Sequence, residues 1–237
     1  MKTFTPVLLT ALLQASSAYH VHVSYDPQLV TVGDANIFHM TWQAIYAAAG
    51  NENSVVLTTT EGARSDPCKE GGSSVDTLVT VKIDSLWGVA RNVSPYVMRD
   101  AIMKGFQSFI EDFGRRQQYS MFDHCVSPNP RTGMTPWWPK KSACSGKACT
   151  GCRGLTVQCE NTHLGYKYPA TVKVYVADNN MHPTGDFLKV DFASNRPGKG
   201  GGGCGLAGTI TKALAEKIPG VGSLFSTGID IACEHLI

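Results

Sequence analysis

Val75-Asp-Thr-Leu-Val-Thr-Val-Lys-Ile83, followed by Ser94-Pro95 and an apolar series at Met98, Ile102, Phe106, Phe109, Ile110 and Phe113, decides the fold class. In the first run Val75, Thr77, Val79, Val81 and Ile83 share one side, and Asp76, Leu78, Thr80 and Lys82 the other. That period of two marks a half-buried strand. The second series has the three-and-four spacing of one helix face. Serine at the N-cap and proline at the first helical position open this helix, and Gly114 is its expected stop.

Working outward from there, Tyr19 to Tyr25 alternates, with Val21, Val23 and Tyr25 on one side and His20, His22 and Ser24 on the other. This too predicts a half-buried strand. Asp34 is the expected cap of a helix reaching about Ala49, with Gly50 beyond it. Ile37, Phe38, Met40, Trp42, Ile45 and Ala48 cover most of its circumference, which predicts a buried helix. Ser54 to Thr59 reads as a short strand, and Glu61 to Ser74 as a loop carrying Cys68. Further strands are expected at Gln117 to His124, Leu155 to Cys159, Thr171 to Ala177 and Phe187 to Ala193. The last two are joined by the turn-rich segment Asp178 to Asp186. Ser194 to Gly203 is a glycine tract, and the tail from Leu206 to Leu236 reads as helical, broken at Pro219-Gly220 and docked on the core. Strands that come in runs, with helices between, predict an α+β fold. Its sheet is antiparallel or mixed, with helices packed on one face.

Eight cysteines accompany this pattern: Cys68, Cys125, Cys144, Cys149, Cys152, Cys159, Cys204 and Cys233. Four fall between Cys144 and Cys159, where the Cys149-Thr-Gly-Cys152 gap also suits two thiolates on one zinc ion. The N-terminus bears on the choice. Met1-Lys2 is a basic start, Val7 to Leu13 a short apolar run, and Ala15-Ser-Ser-Ala18 a set of small residues for cleavage. That is the pattern of a secretory signal peptide over residues 1–18. An exported chain matures where disulfides persist, so its even number of cysteines is read as four bridges, and no metal or other cofactor is expected. Cys204 to Cys233 is the one pairing suggested, across the C-terminal segment. Residues 19–237 are read as a single disulfide-stabilised α+β domain. The Pro-, Gly- and Cys-rich stretch 126–153 is a possible sub-boundary or binding loop.

The formal net charge is +2 and no basic run exceeds two residues, which argues against a surface that tracks nucleic-acid phosphates. No run of about 20 apolar residues follows the signal peptide, so no transmembrane span is expected. Gly198 to Gly205 has its lysine before the glycines, the wrong order for a phosphate loop. Asp123-His124-Cys125 places acid, base and thiol on alternate faces of a strand, where they cannot act as one relay. No Gly-x-Ser-x-Gly elbow or His-Glu-x-x-His helix is present.

Four features remain as candidate sites. Trp137-Trp138, between Pro136 and Pro139, reads either as a sugar-stacking platform or as rings packed under a disulfide loop. Asn92-Val-Ser94 is the only glycosylation sequon, so Asn92 is the expected acceptor. Arg115-Arg116 and Lys140-Lys141 are dibasic pairs, read as solvated charge at a helix end or as processing sites. His20 would form a copper-binding histidine brace only if cleavage fell after Tyr19, whereas Ala18 is the better cleavage residue.

An exported, cysteine-bridged α+β chain of this size resembles in outline the small secreted cysteine-rich effectors of fungi and the α/β killer toxins. The signal peptide, the cysteine pattern and the strand–helix order carry the resemblance, and it assigns no functional residue. It implies a secreted, extracellular protein that acts on another cell by binding rather than by catalysis. The partner would be a host or competitor cell-surface protein or polysaccharide. A secreted carbohydrate-active enzyme or polysaccharide-binding protein is the alternative.

Overall fold

The alternation over residues 19–25 forms strand β1, Tyr19–Tyr25, with Val21, Val23 and Tyr25 almost wholly buried; His22 and Ser24 on its other side are buried too, so the strand is not half-buried as expected. It belongs to a computed structural model that describes residues 19–49, 52–67, 75–91, 93–123, 142–144, 157–159, 161–195, 208–210 and 225–233. Along the chain follow β2 (Leu29–Gly33), α1 (Ile37–Ala49), β3 (Ser54–Ala63), β4 (Thr77–Leu86) and α2 (Pro95–Arg116). Then come β5 (Gln118–Asp123), β6 (Ser142–Cys144), β7 (Val157–Cys159), β8 (Asn161–Pro169) and β9 (Thr171–Asp178). The chain's remaining described strands are β10 (Pro183–Ser194), β11 (Gly208–Ile210) and β12 (Phe225–Cys233).

Seven strands form one sheet in the order β11-β12-β1-β9-β10-β4-β3. Its neighbours are antiparallel except β1 and β12, which run parallel, so the sheet is mixed. β2, β8 and β5 form a second, antiparallel sheet, and β6 pairs with β7. The two helices among the described residues cover one face of the large sheet. α2 lies on β1, β9 and β10, and α1 lies on β3 and β4. On β4 the side chains of Thr77, Val79, Val81 and Ile83 point into this layer, while Leu78 stays 53% exposed on the other side. The period of two therefore places the face correctly, although Val75 lies before the strand and is itself exposed.

The α2 stripe is buried as its spacing predicts, with Met98, Ile102, Phe106, Phe109, Ile110 and Phe113 all in the core. The Phe109 ring lies tilted against Tyr25 at 5.2 Å, and Phe106 stacks near Phe192 at 6.5 Å. Gly105 lets the helix sit close on the sheet, because a Cβ there would lie 2.7 Å from a Val21 methyl. Gly114 does not end the helix, which continues to Arg116. Its lack of a side chain serves packing instead: a Cβ would come within 2.6 Å of the Tyr168 hydroxyl as β8 crosses the helix.

Three other expectations are corrected. Asn36, not Asp34, caps α1, accepting the His39 N–H at 3.0 Å. Asp34 instead accepts the Arg64 backbone N–H at 2.8 Å and pairs with its guanidinium at 2.9 Å. This clasp needs Gly33, whose φ of 64° is left-handed and where a Cβ would run into the Arg64 carbonyl. Nor is α1 buried all round. Ile37, Met40, Thr41 and Ile45 form its inner stripe, while Ala48 is exposed and Tyr46 is 57% exposed. Finally, the C-terminal tail is not helical over 208–210 and 225–233, which are strands. Phe225, Thr227, Ile229, Ile231 and Cys233 recur every second residue, a period that fits β and not 3.6. β12 adds to the sheet beside β1, with Val21 in register with Ile229 and Tyr25 with Cys233.

The Glu61–Ser74 loop begins later than expected, since β3 runs on to Ala63. Beyond it, the Asp76 carboxylate accepts the Ser65 N–H and hydroxyl, both at 2.9 Å, and the Asp66 N–H at 3.1 Å. Between β9 and β10, Asp178 accepts the N–H groups of Asn180 and His182 at 2.8 and 2.9 Å. Those donors, the His182 N–H foremost, hold its carboxyl below the usual range. Met181 in this turn has φ 65° and is 55% exposed, a conformation that costs a non-glycine residue about 1–2 kcal/mol. Met181→Gly is expected to raise stability by roughly 0.5–1 kcal/mol after the extra freedom of glycine in the unfolded chain is deducted. Guanidinium unfolding checks this, and a destabilised variant would contradict the turn geometry.

Candidate functional site

The sequence candidates divide by position. Trp137, Trp138, Asn92, Cys68, Cys125, Cys149, Cys152 and Cys204 lie outside the described residues, as do His124, Lys140-Lys141 and Gly198 to Gly205. Cys144 and Cys159 occupy neighbouring strands, with Cys144 in register with Val157 and Cys159 with Ser142. Cys233 closes β12, so the segment suggested for a bridge from Cys204 ends in a strand. His20 is an interior residue of β1, and Tyr19 before it pairs with Asp178 and donates its hydroxyl to the Arg91 carbonyl at 2.7 Å. Arg115 and Arg116 sit in the last turn of α2 and both pair with Asp112, at 3.1 and 3.2 Å.

Two surface features come from the helix layer, one at each end of the α1–α2 pair. The first is aromatic. Trp42 and Tyr46 are one turn apart on α1, with rings in edge contact at 4.5 Å. Tyr96 and Arg99 are one turn apart near the start of α2. Packing of the helices places the Arg99 guanidinium over three rings, 5.7 Å from Trp42, 5.3 Å from Tyr46 and 5.3 Å from Tyr96. Its side chain is only 11% exposed and also pairs with Asp100 at 3.1 Å. Tyr46 and Tyr96 remain 57% and 44% exposed. A guanidinium held by ring faces and a carboxylate loses little freedom when a partner covers it.

Comparison of the chain with protein families, curated proteins and solved structures finds no match.

The second feature is concave. A groove of about 590 Å³ lies between the start of α1, the end of α2 and strand β8. Tyr166 and Tyr168, two apart on β8, present rings 6.2 Å apart and within 19° of parallel. Glu111, Gln118, Phe38 and Ile110 line the walls. Gln107 Nε2 donates to Glu111 Oε1 at 2.8 Å. Burial, helped by Tyr166 and the Glu111 carboxylate, pushes the Tyr168 hydroxyl above the usual tyrosine range, so it stays a neutral donor. A smaller hollow of about 250 Å³ on the opposite face of the large sheet is lined by Lys173, Tyr175, Asp186 and Phe187. Beside it His22 stacks on Tyr175 at 5.1 Å.

Sequence reasoning named neither helix-layer feature. The spacings of four from Trp42 to Tyr46 and three from Tyr96 to Arg99 were a readable hint of shared faces. No helix among the described residues is long and apolar enough to cross a membrane.

Proposed function

We propose that this chain is an exported, disulfide-bridged protein that acts on another cell by binding a surface protein, in the manner of the effector-like and toxin-like proteins it resembles in outline. The Trp42–Tyr46–Tyr96 surface around Arg99 is the contact. The observation that carries this reading is the composition and order of that patch. Tryptophan, tyrosine and arginine dominate binding hot spots, and here they are pre-positioned on two packed helices rather than on a loop. Secretion and the cysteine bridges rest on the N-terminal pattern and the even cysteine number.

Fluorescently labelled protein applied to fungal, plant and animal cells tests it. The double variant Tyr46→Ala/Tyr96→Ala should bind responsive cells at least tenfold more weakly, as loss of two hot-spot rings predicts. Its stability should change by less than about 2 kcal/mol, because each ring keeps about half of its surface exposed and neither belongs to the core. Absence of binding to every cell type, or undiminished binding by the variant, counts against the proposal.

A further inference from the structure

We infer that the groove between α1, α2 and β8 is a binding site for a neutral oligosaccharide. The inference concerns a different surface from the protein contact and does not rest on it. Arg99 and Glu111 are separated by roughly 18 Å along α2, at about 1.5 Å of rise per residue.

The size of the groove, about 590 Å³, is that of a small-molecule site. Its lining decides the ligand class. The half-buried Tyr166 ring, backed by the buried Tyr168 ring 6.2 Å away, offers an apolar surface. A sugar ring has apolar faces of C–H groups and a rim of hydroxyls, so it uses rings below and polar groups around. Those polar groups are present. Among the described residues the Tyr166 and Tyr168 hydroxyls and the Gln118 carboxamide make no hydrogen bond within the chain. Glu111 spends one oxygen on Gln107 and keeps the other.

The Tyr168 hydroxyl is held in place. Its residue is 6% exposed, and it lies over the backbone of Gly114, where any Cβ would approach within 2.6 Å. The donor is thus fixed before a ligand arrives, which lowers the ordering cost of binding. A tyrosine hydroxyl is protonated over the whole physiological pH range, and burial shifts this one further in the same direction.

Charge excludes the main competitors. Arg115 on the rim is already paired with Asp112, Asp34 is paired with Arg64, and the Glu111 carboxylate faces the groove, so a phosphate or other anion would meet a like charge there. A wholly apolar ligand would strip water from these hydroxyls and the carboxylate without replacing their hydrogen bonds.

Calorimetric titration of the full chain with soluble hexasaccharides of glucose and of N-acetylglucosamine tests the assignment. At least one should bind, and Tyr168→Phe/Gln118→Ala should weaken it at least tenfold with the unfolding midpoint unchanged. The Tyr46→Ala/Tyr96→Ala variant should bind the same saccharide as the parent does, even where it loses cells. The inference is overturned if neither hexasaccharide binds, or if the groove variant binds as tightly as the parent. It is likewise overturned if the loss follows the aromatic variant instead.

Discussion

Phe109→Ala should lower the stability of the full chain by about 3–5 kcal/mol, the range for emptying a fully enclosed phenylalanine site. Phe109 has no exposed surface and sits 5.2 Å from the Tyr25 ring and 5.3 Å from that of Phe113. Those neighbours belong to β1, an inner strand of the large sheet, and to α2, the helix that covers it. Neither backbone can collapse into the hole, because Gly105 already brings α2 as near to Val21 and Val174 as their methyls allow. The cavity term therefore adds to the lost transfer energy rather than relaxing away. At this chain length the loss corresponds to a melting point lower by roughly 6–20 °C. Unfolding in guanidinium under non-reducing conditions measures it, with Val56→Ala, 73% exposed on β3, as a control expected within about 0.5 kcal/mol. A loss below about 1 kcal/mol for Phe109→Ala would mean that α2 does not cover the sheet as described.

Phe109 was legible in the sequence because its evidence is local. The stripe from Met98 to Phe113 and the alternation through Ile83 each repeat within one element, so period alone assigns the buried face. What period cannot give is the partner. β8 was missed although Leu164, Tyr166 and Tyr168 alternate, because Gly165 interrupts the run and Pro169 closes it. Gly165 is tolerated there since Tyr119, its register partner on β5, lays its ring over the bare backbone. β12 carries a period of two from Phe225 to Cys233 that was readable, but the apolar residues before it also suit a helical tail, and its partner β1 is about 200 residues away in sequence. The same holds for the candidate sites. Arg99 reaches the rings of Trp42 and Tyr46 only when α1 packs on α2, and the groove joins three elements distant in sequence. Residues near in sequence were readable in pairs; the constellation exists only after folding. The expectation that α1 is buried all round failed for this reason, since one of its sides carries the aromatic surface.

A buried charge in a segment read as a loop marks the same limit, and its removal should be the other large loss. Asp186 is 1% exposed, on the irregular start of β10 where the register with β9 shifts. Its carboxylate accepts the backbone N–H groups of Val89 and Ala90, both at 2.9 Å, and the Thr184 hydroxyl at 2.8 Å. These bonds fasten the β9–β10 hairpin to the connection that leads from β4 into α2. Asp186→Ala removes the acceptor and leaves two N–H donors, that of Ala90 buried, with nothing to replace it. An unsatisfied buried donor costs about 1–3 kcal/mol, and the loss of hydrogen bonds to a charged acceptor adds to it. Removing the buried charge returns part of this as regained solvation. The net expectation is a loss of about 3–5 kcal/mol. Asp186→Asn keeps one oxygen for one N–H but turns an amide donor toward the other, so about half of that loss should remain. The ordering parent, Asn, Ala in guanidinium unfolding is the check. If Asn and Ala prove equally mild, Val89 and Ala90 do not depend on this carboxylate, and the joint between the hairpin and α2 must be held by packing alone.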